Sequence, residues 1–164
     1  MNTKTQTVKV APMFPDAKIP AYQSKEAACF DISAYLRPEQ LTQLPDGTQG
    51  LVIPPGGIAD VGTGLKFEIQ RGWRLDVHSR SGTWFKNRVR AAAQGRGTID
   101  SDFRDEVKVS VENRGGEPFV IRHGDRIAQG ELNEVTTVRF IQVAEADLSS
   151  TERSVGGFGS TGMK

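Results

Sequence analysis

Val107-Lys108-Val109-Ser110-Val111-Glu112 alternates apolar and polar residues without a break, the pattern of a strand with one face buried and the other wet. Arg74-Leu75-Asp76-Val77-His78 repeats it, and Lys66-Phe67-Glu68-Ile69 carries it over a shorter run. Leu51-Val52-Ile53, Phe119-Val120-Ile121 and residues 135–143 add β-branched and aromatic stretches, which suit a pleated, half-buried surface. Turn formers separate these runs: Pro54-Pro55-Gly56-Gly57, Gln70-Arg71-Gly72, Asn113-Arg114-Gly115-Gly116 and His123-Gly124-Asp125. Many short strands between such turns predict an all-β fold, a barrel or double-sheet jelly roll. One short helix is expected over residues 81–87, with Ser81 as its N-cap. Residues 37–50, with Pro38, Pro45 and Asp46-Gly47, read as a surface insertion between strands.

The 164 residues suit one domain, placed at 1–148. Residues 149–164 are polar and glycine-rich, the composition of a flexible C-terminal arm, although Phe158 set among glycines is unusual for a linker. Lys plus Arg total 21 against 20 Asp plus Glu, so no surplus of cations exists to displace counterions from nucleic acid. A local basic pocket for one polyphosphate is compatible with that balance. Cys29 is the sole cysteine, which excludes an intrachain disulfide framework. The first residues lack the apolar core of a signal peptide, and no later stretch is long enough to span a membrane. The expectation is a soluble cytoplasmic protein, or one of the host cytoplasm if its source is viral.

Four polar clusters carry the candidate chemistry. Ser79-Arg80-Ser81-Gly82 offers a guanidinium, hydroxyls and helix amides to a phosphate. Gly97-Thr98-Ile99-Asp100-Ser101-Asp102-Phe103 sets two carboxylates beside an aromatic, and such a carboxylate can orient or deprotonate a water. Gly124-Asp125-Arg126-Ile127-Ala128-Gln129 reads as a turn entering a strand. The tail lacks the Gly-Lys-Ser/Thr ending of a Walker loop, yet its amides suit anions and Phe158 suits stacking on a base. Taken alone, each cluster is better explained by a structural role: a capped helix, an Asp-rich hairpin turn, a structural Asp-Arg pair, a disordered tail. His78 and His123 have no Cys or carboxylate at zinc spacing. No Gly-x-Ser-x-Gly elbow is present, and Cys29 has no histidine partner nearby in sequence.

In order and spacing the clusters resemble the five motifs of the trimeric dUTPase family. The first is Ala28-Cys29-Phe30-Asp31-Ile32-Ser33-Ala34; the three clusters above follow, the second of them ending at Arg104. The last motif is Arg153-Ser154-Val155-Gly156-Gly157-Phe158-Gly159-Ser160-Thr161-Gly162. The resemblance implies a jelly-roll or distorted β-barrel subunit of a homotrimer with shared active sites, closed by the C-terminal arm. It implies hydrolysis of dUTP to dUMP and pyrophosphate by water attack at the α-phosphorus, which keeps uracil out of DNA and supplies dUMP. It further implies Mg²⁺ held mainly by the triphosphate, with Asp31 touching it through water.

By the same resemblance Arg80, Ser81, Gly82, Gln129, Arg153, Ser160 and Thr161 would contact phosphates. Asp100 would act on the attacking water and accept from the sugar 3′-hydroxyl. Backbone groups of Gly97 and Ile99 would read uracil in a pocket too tight for thymine's methyl. Phe103 would pack under the deoxyribose, Phe158 would stack on uracil, and Gln94 sits near a position that holds a uracil-bound water. Phe103 replaces a common Tyr, Asp105 a common Gly, Ser154 a common Gly, and Thr83-Trp84 smaller or aliphatic residues. Two alternatives stay open. One is a dCTP deaminase or bifunctional deaminase-dUTPase, disfavoured because 107–111 carries no carboxylate. The other is a non-catalytic nucleotide-sensing protein, with 37–50 and Trp84 facing a protein partner. No membrane or nucleic-acid partner is expected.

Overall fold

In the computed structural model, residues 5–91 and 96–151 are described, Arg96 by its backbone alone. The strands in chain order are β1 (Lys9–Pro12), β2 (Phe30–Ser33), β3 (Thr42–Gln43), β4 (Gln49–Ile53), β5 (Ile58–Gly62), β6 (Leu65–Glu68) and β7 (Trp73–His78). After the helix α1 (Ser81–Asn87) come β8 (Val89–Ala91), β9 (Arg96–Ile99), β10 (Lys108–Asn113), β11 (Phe119–Ile121) and β12 (Arg126–Glu134). Every described pairing is antiparallel. The strands form four sheets rather than one closed ladder: β1-β6, β5-β10-β8, β11-β4-β3 and β2-β12-β7-β9. The all-β expectation therefore holds, as a sandwich-like arrangement of small sheets.

The alternation that opened the sequence reading does what it predicts. Val107, Val109 and Val111 are buried, while Lys108 is exposed. They join Leu75 and Val77 of β7, Val61, Leu65, Phe67, Ile32, Ile53 and Ile121 in one core. Antiparallel sheets with one wet face give this clean division.

Two expectations are corrected. The N-cap of α1 is Arg80, not Ser81, with extended backbone (φ −81°, ψ 129°) and no side-chain cap. Ser81 is already helical, and the hydroxyl beside the cap is spent elsewhere: Ser79 Oγ donates to the Ala91 carbonyl and accepts from the Ala91 amide, both at 2.9 Å. Residues 135–143 form no strand; β12 ends at Glu134, and the last sheet-side bond is Val135 N–H to the Gly72 carbonyl at 2.8 Å. β-branched residues favour a strand only where a neighbour packs on them, and in this segment Phe140 is 91% exposed and Ile141 71%. The 37–50 stretch, read as a surface insertion, has regular structure of its own. It contains a 3₁₀ turn (Pro38–Gln40) and the β3-β4 hairpin, whose tip is closed by Thr48 donating to Asp46 and tied down by Arg122 to Asp46 at 3.0 Å.

One buried ion pair braces the junction of β5 and β6. Glu106, 7% exposed, accepts from Arg37 Nη2 at 2.6 Å and from the Gly64 amide at 2.9 Å. Removing one partner of such a pair strands the other. Because Arg37 is 28% exposed and can turn to water, Glu106→Ala should cost about 2–3 kcal/mol, seen as a lowered melting temperature.

Candidate active site

The four-stranded sheet assembles the first, second and fourth motifs. Asp31 on β2 lies opposite Gln129 on β12, and Gln129 lies opposite His78 at the end of β7. Residues directly opposite in an antiparallel ladder share a face, so Asp31, Gln129 and His78 form one row. Two residues past His78, Arg80 turns back over it and its Nε donates to Asp31 Oδ1 at 3.0 Å. Arg126 Nη1 donates to Asp31 Oδ2 at 3.0 Å, and Arg80 Nη1 donates to the Arg126 carbonyl at 3.1 Å. Asp31, with a side chain only 12% exposed, thus holds two guanidiniums in fixed orientation.

Local chain geometry puts Arg126 there. Gly124 takes φ +79°, a left-handed turn that L side chains resist. Its amide donates to the Ala34 carbonyl, the Ala34 amide donates to the Asp125 carbonyl, and Lys18 Nζ caps the Gly124 carbonyl at 2.9 Å. The register then shifts between Arg126 and Ala128, a bulge of the kind that re-aims a side chain. An open cleft of about 290 Å³ is lined by Lys18, Gln23, Asp31, Ser33 and Arg126, and another of about 270 Å³ by Arg80, Thr83, Asn87 and Arg126. Ser81 and Gly82 stand exposed on the first turn of α1 beside them.

The third motif sits elsewhere. β9 pairs with β7 so that Ile99 lies opposite Leu75, which places Asp100 beside the Arg74 end of β7 while Arg80 follows its other end. Along β7 the Asp100 level lies four residues from the row of Asp31 and His78 and six from Arg80, roughly 13 and 20 Å. Within one chain, Asp100 is therefore not brought to Asp31 and Arg80. The segment after β9 is not a hairpin turn between paired strands: β9 belongs with β7, β10 with β5 and β8. Asp100 and Phe103 close an exposed turn, the Phe103 amide donating to the Asp100 carbonyl at 3.2 Å, and Phe103 is 40% exposed. Gln94, Arg153, Phe158, Ser160 and Thr161 lie outside the described residues.

Two participants escaped the sequence reading. Arg126 was inside a quoted motif, but only the bulge shows that it grips Asp31. Asp76 occupies a polar position of an alternating strand yet is 0% exposed. Burial pushes its carboxyl up, but hydrogen bonds from Asn133, Arg74 and Thr98, together with the Arg74 charge, outweigh this and hold it below the usual carboxylate range.

Among the described residues, no group of three or more His, Cys, Asp or Glu is placed to hold a metal ion. Two carboxylate residues line these clefts: Asp31, which holds both guanidiniums, and Asp125, whose Oδ2 accepts from the Arg122 amide at 2.7 Å. That donor set does not fit a protein cage, but it fits a hydrated Mg²⁺ whose inner ligands come from a polyphosphate. No helix among the described residues is long and apolar enough to cross a membrane.

The family model described as dUTPase matches residues 15–162. A deoxyuridine 5′-triphosphate nucleotidohydrolase of Nautilia profundicola is 41% identical over 94% of this chain and 98% of its own. One of Rhizobium johnstonii is 44% identical over 88% of this chain and 85% of its own, and one of Helicobacter hepaticus 40% over 98% and 91%. Among solved structures, the dUTPase of Staphylococcus bacteriophage 80alpha, determined with dUPNHPP, superposes with a TM-score of 0.78 at 23% identity, covering 96% of this chain and 99% of that one. That likeness concerns the fold; the family rests on the match across 15–162 and on the relatives above 40%. The chain belongs to the dUTPase family.

Proposed function

We propose that this protein hydrolyses dUTP to dUMP and pyrophosphate, in the cytoplasm, at sites each completed by more than one copy of the chain in a homotrimer. The observation that carries the shared site is the separation of the Asp31-Arg80-Arg126 cluster from Asp100 along β7. Exposed apolar side chains after β12, Val138, Phe140, Ile141 and Leu148, also suit burial against a second copy. A threefold assembly predicts a solution mass three times that of the chain by light scattering.

The chemistry follows from the residues. A triphosphate entering the cluster meets Arg80 and Arg126, already aimed by Asp31, with Ser81 and Gln129 as further hydrogen-bonding groups. Preorganised charges of this kind stabilise developing negative charge without reorganising. Bound Mg²⁺, with Asp31 reaching it through water, would neutralise phosphate oxygens and polarise the phosphoryl group. Asp100 of a neighbouring copy accepts a proton from water as its oxygen bonds to the α-phosphorus. The bond to the bridging oxygen breaks, and pyrophosphate leaves with that electron pair. Gly97 and Ile99 offer backbone groups to uracil, and Phe103 a face to the deoxyribose. Arg153, Phe158, Ser160 and Thr161 would close over the bound nucleotide from the arm.

The deaminase alternative gains nothing from the structure. Near β10, Glu106 is buried on Arg37, Glu112 accepts from Arg90 Nε at 2.5 Å, and Ser110 donates to Asp60. The decisive assay is pyrophosphate release from dUTP, dTTP, dCTP and UTP with Mg²⁺. Selective release from dUTP is expected; uracil products from dCTP would favour deamination instead. Asp31→Asn should weaken both arginine contacts and the metal contact, lowering kcat/KM about 10- to 100-fold and raising the Mg²⁺ concentration needed for half-maximal rate. An unchanged Mg²⁺ dependence would remove Asp31 from the metal's surroundings.

A further inference from the structure

β9 is the edge strand of its sheet, four residues long and paired with β7 alone among the described strands. Short, glycine-containing edges specify register weakly, and a slip of one residue turns every side chain to the opposite face. Yet this strand is the one required to present Gly97, Ile99 and Asp100 at fixed positions. Backbone pairing to β7 cannot by itself choose among neighbouring registers, because each offers similar amide–carbonyl bonds.

A side-chain lock is present at the middle of the strand. Asp76 lies directly opposite Thr98, and its Oδ1 accepts from Thr98 Oγ1 at 3.0 Å. Its Oδ2 accepts from Asn133 Nδ2 of β12 at 2.9 Å, and both oxygens accept from Arg74 Nε, at 3.1 and 3.0 Å. One buried carboxylate therefore ties three adjacent strands, β12, β7 and β9. A charge out of water is tolerated only when hydrogen-bonded and paired, so Asp76 strongly favours the register in which Thr98 faces it. Arg74 and Asn133 also hold the carboxylate, and Thr98 links it to the edge strand.

We infer that Asp76, acting through Thr98, is a positioning residue that sets the register of β9 and hence the aim of Gly97, Ile99 and Asp100 at the nucleotide. This rests on the assignment of 97–103 to uracil, deoxyribose and the attacking water. Misplacement by 1 Å in such a group costs about 100-fold in rate, and a uracil pocket that loosens also admits the methyl of thymine.

The test compares Thr98→Val, which keeps the shape and removes the donor, with Thr98→Ser, which keeps the donor, and with Asp76→Asn. Steady-state kinetics on dUTP and dTTP are measured beside melting temperature and solution mass. Thr98→Val should lower kcat/KM for dUTP about 10- to 100-fold and narrow the dUTP-to-dTTP preference. Thr98→Ser should restore both, with solution mass unchanged in either variant, and Thr98→Val should lower the melting temperature only by what one lost hydrogen bond to a buried carboxylate costs. Asp76→Asn should move the kinetics in the same direction. A fall in melting temperature or active fraction with KM and nucleotide preference intact would overturn the proposal and leave Asp76 a structural residue. So would a Thr98→Val enzyme identical to wild type while Asp100→Asn is inactive. If Asp100→Asn keeps its rate, or the wild type does not prefer dUTP to dTTP, the site assignment itself fails and this proposal falls with it.

Discussion

Asp100→Asn should release pyrophosphate from dUTP about a thousandfold more slowly than the unaltered chain, within the 10²–10⁴ range of a general base. The substitution keeps size and shape but removes the group that accepts the water's proton. Asp100 is exposed at the end of β9, where no core packing depends on it, so the variant should fold and assemble normally. Nucleotide affinity, measured by calorimetry with a non-hydrolysable analogue, should change far less than the rate. Asp102 lies in the same exposed turn and supplies the control: Asp102→Asn should stay close to wild type. A full rate in Asp100→Asn with a loss in Asp102→Asn would move the base by two residues.

Mixing two dead variants should recreate activity. Arg80→Ala removes a guanidinium that grips Asp31 and faces the phosphates; Asp100→Asn removes the base. The two positions flank opposite ends of β7, roughly 20 Å apart in one chain. A site that takes Arg80 from one copy and Asp100 from another is intact only when the first copy is Asp100→Asn and the second Arg80→Ala. Co-refolding the variants in equal amounts makes such sites about a quarter of the total in a head-to-tail ring, so about a quarter of wild-type activity should return. No recovery from verified mixed assemblies would mean that each site draws both residues from one chain.

The sequence made the strands legible wherever alternation met a buried face, as in Val107 to Val111 and Leu75 to Val77. It failed at residues 135–143, since β-branched composition reports fitness for a sheet without saying whether a neighbour strand exists. The helix was legible to its ends, but its cap was not: the first helical bond runs from the Trp84 amide to the Arg80 carbonyl, so the cap falls one residue before Ser81, on a residue that caps with no side chain. Asp31, Arg80 and Gln129 were named from their motifs, and register on three strands brings them together. Arg126 and Asp76 were hidden for different reasons. Arg126 depends on a bulge, which no residue type announces. Asp76 looks like the wet face of a strand, and only its partners, 22 and 57 residues away, reveal otherwise.

The Arg37-Glu106 brace also constrains how this chain can drift. A methyl placed on Gly62 would lie 2.5 Å from Glu106 Oε1 and 3.2 Å from Arg37 Nη1. A side chain at 62 would push the Glu106 carboxylate away from its partners, and loss of Arg37 alone would leave Glu106 buried without its countercharge. The three positions are therefore coupled in the order of their changes: the brace must be replaced as a unit, by residues needing less room, before the glycine is released. A library randomised at 62 alone should return glycine, whereas one randomised at 37, 62 and 106 together should return correlated combinations.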